Sequence, residues 1–180
     1  MPRKVQTAPG KVHTVSGEDY EKWIKEYINT HFNQHGLAAF RQVTYGRHSL
    51  GIPHRNDILV TNKDRSRVLL IECKTQDKTG SKDEAMLHAI ERAESDPNRA
   101  VVYRGNKFSN GVWNRFLQSK SSWFCSPNIG ANGKPLRYHT KNKLKEGQPE
   151  DGDTWELDQL LFFHFELIDE WMNDDIWNPI

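Results

Sequence analysis

Apolar residues recur at helical spacing at Tyr20, Trp23, Ile24, Tyr27 and Ile28, directly after Ser16-Gly17-Glu18-Asp19. That prelude suits an N-cap with acids in the first turn, so the pattern predicts a helix over residues 16–32. The period then changes from helical to alternating. Phe40-Arg41-Gln42-Val43-Thr44-Tyr45 reads as a first strand, and a turn at 46–53 leads into a second, His54-Arg55-Asn56-Asp57-Ile58-Leu59-Val60. The polar stretch 61–67 has the composition of a hairpin connection to a third strand, 68–74. Its four consecutive apolar residues, Val68 to Ile71, imply burial on both faces. Ser81 and Glu84 form a capping box for a helix over 82–94, with Ala85, Leu87, His88, Ile90 and Ala93 expected to supply its apolar surface. A fourth strand at 100–103 and a helix at 111–117 follow. Thr154 is expected to cap a last helix over 154–172, which is apolar nearly all round at 160–165 and so either enters the core, its expected place, or forms a subunit interface.

The third strand also carries chemistry. Side chains alternate along a strand, so Glu72 and Lys74 project from one face while Ile71 and Cys73 point the other way. Folding the hairpin back brings Asp57 beside Glu72. Two carboxylates at that distance repel unless a cation sits between them, and oxygen donors of this kind suit Mg²⁺ or Mn²⁺. Lys74 can hold or polarise a water, or stabilise charge on a phosphate. An acid followed at two residues by lysine is common on exposed strands, but this strand is too apolar for a solvated pair. Gln76 shares the face of Glu72 and Lys74 if the strand continues, and suits either a phosphate or local backbone.

Asp57 followed by Glu72-Cys73-Lys74 resembles the PD-(D/E)xK nuclease superfamily, which contains many type II restriction endonucleases, Holliday-junction resolvases and repair nucleases. Asn56 stands where the family name has Pro, a residue with no metal-binding atom. The predicted order of helix, three strands, helix, strand and helix agrees with the common core of that superfamily. The resemblance implies a mixed β-sheet flanked by helices in one restriction-endonuclease-like α/β domain. It further implies that Asp57, Glu72 and the Cys73 backbone carbonyl bind metal, with Lys74 at the nucleophile; Gln76 joins the catalytic candidates from its place on the strand face, not from the resemblance. Some members draw a further acid from the first helix, where this chain has Glu21; the exposed surface is the expected place of that residue, with the metal role as the alternative.

Composition adds a charge split. All 25 Lys and Arg lie within residues 1–145, against 14 acids within 1–149, whereas residues 150–180 hold ten acids and no Lys or Arg. A basic body is the electrostatic footprint of a nucleic-acid binder. The acidic tail reads first as a solvated amphipathic helix. Residues 1–15 are expected to be an arm preceding a domain over 16–180, with its core at 16–120 and a substrate-contacting region at 104–149. Arg47, His48 and Arg55 beside the Asp57 strand, and Arg104, Lys107, Arg137, Lys141 and Lys143 in that region, are the expected DNA contacts. Lys120-Ser121-Ser122-Trp123-Phe124 belongs to the same expected surface. The two cysteines, Cys73 and Cys125, form no disulfide framework and stand in no zinc-ligand spacing with histidine. With no apolar leader or membrane segment, the expected location is intracellular, in the cytoplasm.

The resulting expectation is a Mg²⁺-dependent DNA endonuclease, with Mn²⁺ able to substitute, of sequence-specific restriction type. A homodimer is expected from the need to cut two antiparallel strands. A structure-selective resolvase or repair nuclease of the same superfamily is the alternative, and a non-catalytic DNA-binding module is the alternative of another class.

Overall fold

The apolar run at 68–71 lies at the centre of the molecule. In a computed structural model that describes residues 15–47, 53–76, 83–105, 107–137 and 152–172, five strands form one sheet in sequential order. They are β1 (Ala38–Arg47), β2 (Pro53–Thr61), β3 (Val68–Gln76), β4 (Arg99–Gly105) and β5 (Ser122–Phe124). β1, β2 and β3 form an antiparallel meander, while β4 and β5 continue in parallel with β3. The sheet is therefore mixed, as expected. Helices α1 (Gly17–His31), α2 (Asp83–Glu94) and α3 (Asn110–Gln118) are joined by α4 (Trp155–His164) and α5 (Ile168–Met172). A small hairpin of β6 (Asn128–Ile129) and β7 (Pro135–Leu136) stands apart from the main sheet.

Strand alternation sorts the core into two layers. Ile58, Val60, Leu69, Ile71, Cys73, Ala100 and Val102 pack with Tyr20, Ile24, Tyr27 and Ile28 of α1 and with Leu157, Leu161 and Phe162 of α4. Val101 and Tyr103 face the other way, toward Met86, Ala89 and Ile90 of α2 and Val112 and Phe116 of α3. Tyr103 stacks on Phe116 with centroids 4.2 Å apart and meets Phe124 edge-on. Ser16 caps α1 by accepting the Asp19 N–H at 3.0 Å.

Three expectations need correction. The buried stripe of α2 is Met86, Ala89, Ile90 and Ala93, a true i, i+3, i+4, i+7 series, whereas Ala85, Leu87 and His88 are exposed. His88 is a surface residue beside Glu84 and Glu91, not a packing histidine. The final helix is broken: Glu166 takes a left-handed φ of 59° between α4 and α5, and Thr154 gives no side-chain cap, since Asp153 accepts the Trp155 N–H instead. The segment 120–124 is not an open surface either, because Ser122 and Phe124 are buried in β5. Ser81 and the arm 1–14 lie outside the described residues.

Within the described part of the acidic C-terminal region, α4 packs into the core and carries one acid with it, while Glu166, Asp169 and Glu170 stay exposed. Asp158 of α4 is fully buried, accepts a hydrogen bond from the Tyr27 hydroxyl, and lies 3.7 Å from the Arg137 Nε. Arg137 also donates to the Tyr27 oxygen at 3.2 Å and lies over the Phe32 ring. Burial, with Asp158 adding to it, holds the Tyr27 hydroxyl well above its ordinary pKa. Breaking a buried pair by removing one partner strands the other charge, at a cost of about 3–5 kcal/mol. Arg137→Met is therefore expected to lower unfolding free energy by about that amount in a urea titration. A surface pair such as Arg67–Glu166 adds little by comparison.

Candidate active site

β2 and β3 pair from Thr61–Val68 to Ile58–Ile71, and Asp57 and Glu72 are the next residue of each strand beyond that last pair, close enough for Glu72 to act on the Asp57 charge. There the carboxylate takes over the role of the backbone partner: Asp57 Oδ2 accepts the Cys73 N–H at 2.9 Å. In a strand the carbonyl of a residue points to the same side as its N–H, so the Cys73 carbonyl is also turned toward β2. The Cys73 thiol is buried with the α1 layer, and burial pushes its pKa well above the ordinary value. The hairpin between the strands is closed by Asn62, whose side chain accepts the Arg67 N–H, and by Arg65 in the left-handed region.

Glu72 and Lys74 share the opposite face, in register with Val101 and Tyr103 of β4. Lys74 Nζ lies 3.7 Å from Glu72 Oε2. Glu72 is 9% exposed and is held from α2 by Arg92, whose Nε and Nη2 donate to Oε1 at 3.0 and 2.8 Å and whose Nη2 also reaches Oε2 at 2.9 Å. The carboxyl of Asp57 is raised above its ordinary pKa, chiefly by burial and further by Glu72, against the lowering effect of the Cys73 N–H, Lys74 and Arg41.

Glu21 projects from α1 into the same electrostatic neighbourhood. Burial raises its carboxyl pKa, and the charge on Asp57 raises it further. Its Oε1 accepts from Gln42 Nε2 and lies 3.5 Å from Arg41. Gln42 sits between the β1–β2 pairs Arg41–Ile58 and Val43–Asn56 with a φ of 55°, a conformation that costs a non-glycine residue of order 1–3 kcal/mol. Asn56, in the place of the family proline, is buried and donates to the Val43 carbonyl while accepting from Arg99.

The remaining expected site residues divide sharply. Gln76 donates its amide to the Lys107 carbonyl at 2.9 Å, and its own carbonyl accepts the Lys107 N–H, so the side chain satisfies local backbone. That close approach requires Gly105, whose φ is 118° and where a Cβ would stand 2.3 Å from the Gln76 oxygen. Arg104 is buried and donates to the Thr75 hydroxyl at 2.9 Å, and Arg137 is buried against Asp158; neither lies on a surface open to DNA. Arg55 and Lys107 are exposed. His48, Lys141 and Lys143 lie outside the described residues, and so does the side chain of Arg47.

Two residues at the site were not anticipated from the sequence. Arg92 has a signal in the topology: a helix joining parallel β3 and β4 runs back along β3, so a cation in its last turn returns over the strand. Gln42 has none, because its side-chain partner Glu21 lies 21 residues earlier on α1.

An acid on one strand, an acid and lysine on the next, and a mixed sheet between two helical layers define the restriction-endonuclease-like class. The family model of the PD-(D/E)XK nuclease superfamily domain matches residues 16–166, and the chain belongs to that superfamily. No curated protein matches it. Among solved structures, it is similar to a protein of unknown function from Silicibacter pomeroyi, at 13% identity and a TM-score of 0.38, over 87% of this chain and 90% of that one.

Proposed function

We propose that the protein is a Mg²⁺-dependent DNA endonuclease, with Asp57, Glu72 and Lys74 as its catalytic group. The observation that carries this reading is the meeting of Asp57 with the Cys73 N–H beside a Glu72–Lys74 pair 3.7 Å apart. Among the described residues no three His, Cys, Asp or Glu are grouped to hold an ion. Mg²⁺ does not need such a cage, since it binds through one or two carboxylates and keeps waters and substrate oxygens. Asp57 and Glu72 with the Cys73 carbonyl supply that donor set, and the Asp57 carboxyl, raised chiefly by burial and further by Glu72, is one whose charge a cation would favour. Glu21 is engaged by Gln42 and Arg41 and adds a third carboxylate to the electrostatic neighbourhood of Asp57.

Bound there, the ion supplies charge for a phosphate oxygen and a more acidic water. Lys74 is placed to orient the attacking water and to stabilise charge that develops on the phosphate. Asp57 and Glu72 fix that place on two adjacent strands, where rigid backbone limits misplacement. Restriction-type cutting is supported by the basic composition of the body and the polar, basic sequence of residues 104–149 beyond the catalytic motif, and a homodimer follows from the need to cut two antiparallel strands.

Incubating supercoiled plasmid with and without Mg²⁺, and mapping products at base resolution, tests the reading. Cleavage at fixed sites is expected only with Mg²⁺. Cleavage confined to junctions or ends makes it a resolvase or repair nuclease, and no cleavage leaves a DNA-binding module. Among the described residues, no helix is long and apolar enough to cross a membrane.

Arg55 stands two residues before Asp57 on β2 and therefore shares its face, and Lys107 follows β4 at the same end of the sheet. Replacing both by Ala should flatten the log–log dependence of DNA affinity on salt by about 0.9 for each phosphate that is no longer neutralised. Titrating labelled duplex at several salt concentrations measures this. Arg137→Met, measured on its folded fraction, should leave the slope unchanged.

A further inference from the structure

The proposed metal ligand Glu72 already has a cation. Arg92 makes three close contacts to its two oxygens, between 2.8 and 3.0 Å, using the Nε and Nη2 edge of the guanidinium. A carboxylate offers about four acceptor positions, so this fork occupies most of them. The two partners differ in their access to water: the Glu72 side chain is 12% exposed and that of Arg92 45%. Glu72 is thus held in the sheet layer, while the guanidinium at the surface end of α2 can turn into solvent at small cost.

We propose that Arg92 and the divalent cation compete for Glu72, so that metal binding displaces the guanidinium from the carboxylate. This rests on the metal-dependent site proposed above. Charge argues in the same direction as occupancy. Glu72 faces two positive groups, Arg92 and Lys74, and a dication arriving beside them is repelled as well as blocked. Linkage then makes Arg92 a regulator of metal affinity, because a state in which arginine holds Glu72 must be undone before the ion binds. A purely structural role for the pair, docking α2 on the sheet, predicts the reverse sign: losing Arg92 would loosen Glu72 and weaken the site.

Calorimetric titration of Mn²⁺ into the whole protein, without DNA and at fixed pH and salt, separates these signs. Arg92→Met keeps the length of the side chain and removes the charge. It should bind Mn²⁺ about tenfold more tightly than the unaltered protein, the magnitude expected for releasing a partly exposed charge-assisted pair. Arg92→Gln, which retains a donor without charge, should fall between the two and guards against misfolding of the first variant. Thermal unfolding should show a larger upward shift with Mn²⁺ for both variants than for the unaltered protein. Equal or weaker Mn²⁺ binding by both variants overturns the competition while leaving the metal site in place. Absence of Mn²⁺ binding by every form, with Glu72→Gln indistinguishable from the unaltered protein, overturns the competition and the metal-dependent reading together.

Discussion

Asp57→Asn and Glu72→Gln are each expected to reduce DNA cleavage by about a thousandfold or more, equivalent to at least about 4 kcal/mol of transition-state stabilisation. Duplex binding should remain within a few-fold of the unaltered protein. The amide variants are the informative ones. Asp57→Asn preserves an oxygen able to accept the Cys73 N–H, so the end of the β2–β3 ladder is kept while the charge is removed. Removing a buried charge that Glu72 also repels should make this variant no less stable than the original, despite its loss of function. Glu72→Gln leaves Arg92 an acceptor, and Arg92 is sufficiently exposed to be solvated otherwise. Cleavage of plasmid under single-turnover conditions gives the rate, and a labelled duplex gives affinity. Cutting at the original rate by either variant would remove that carboxylate from the reaction.

The parts of this architecture visible in the sequence are those set by local pattern. The helical stripe of α1, the polar hairpin between β2 and β3, and the buried run at 68–71 depend on neighbours within one or two turns or strand steps, and all three appear where the spacing places them. The juxtaposition of Asp57 with Glu72 follows from the same hairpin, since register in a tight antiparallel pair is fixed by the turn. What local pattern does not carry is partner choice over long separations. Arg137 reads as one more cation in a basic loop, yet Asp158 and Tyr27 bury it. Arg92 reads as an exposed helical arginine, yet a strand twenty residues earlier supplies its carboxylate. The apolar run 160–165 reads as one helix continuing, but the chain turns at Glu166 so that Leu167 bonds back to Phe162 and Trp171 stacks on the same ring.

Lys74→Ala is expected to slow single-turnover cleavage by about 10²–10⁴-fold while changing duplex affinity by no more than about threefold. The reason for separating rate from affinity lies in where the ammonium stands. Its side chain is 23% exposed and lies beside Glu72, within the group of acids rather than on the outer basic surface. A cation there contacts few phosphates in the ground state, and its charge is worth most when negative charge develops at the reacting phosphorus. Lys74→Arg should not restore the rate, because a planar guanidinium cannot place a single donor where the compact ammonium stood. Loss of Lys74 also removes one of the two cations around Glu72, so metal affinity should rise even as cleavage falls. That opposition distinguishes a group acting on the transition state from one that holds the metal site together: if cleavage and metal binding fall in parallel, Lys74 organises Glu72, and if only duplex affinity falls, it anchors a phosphate.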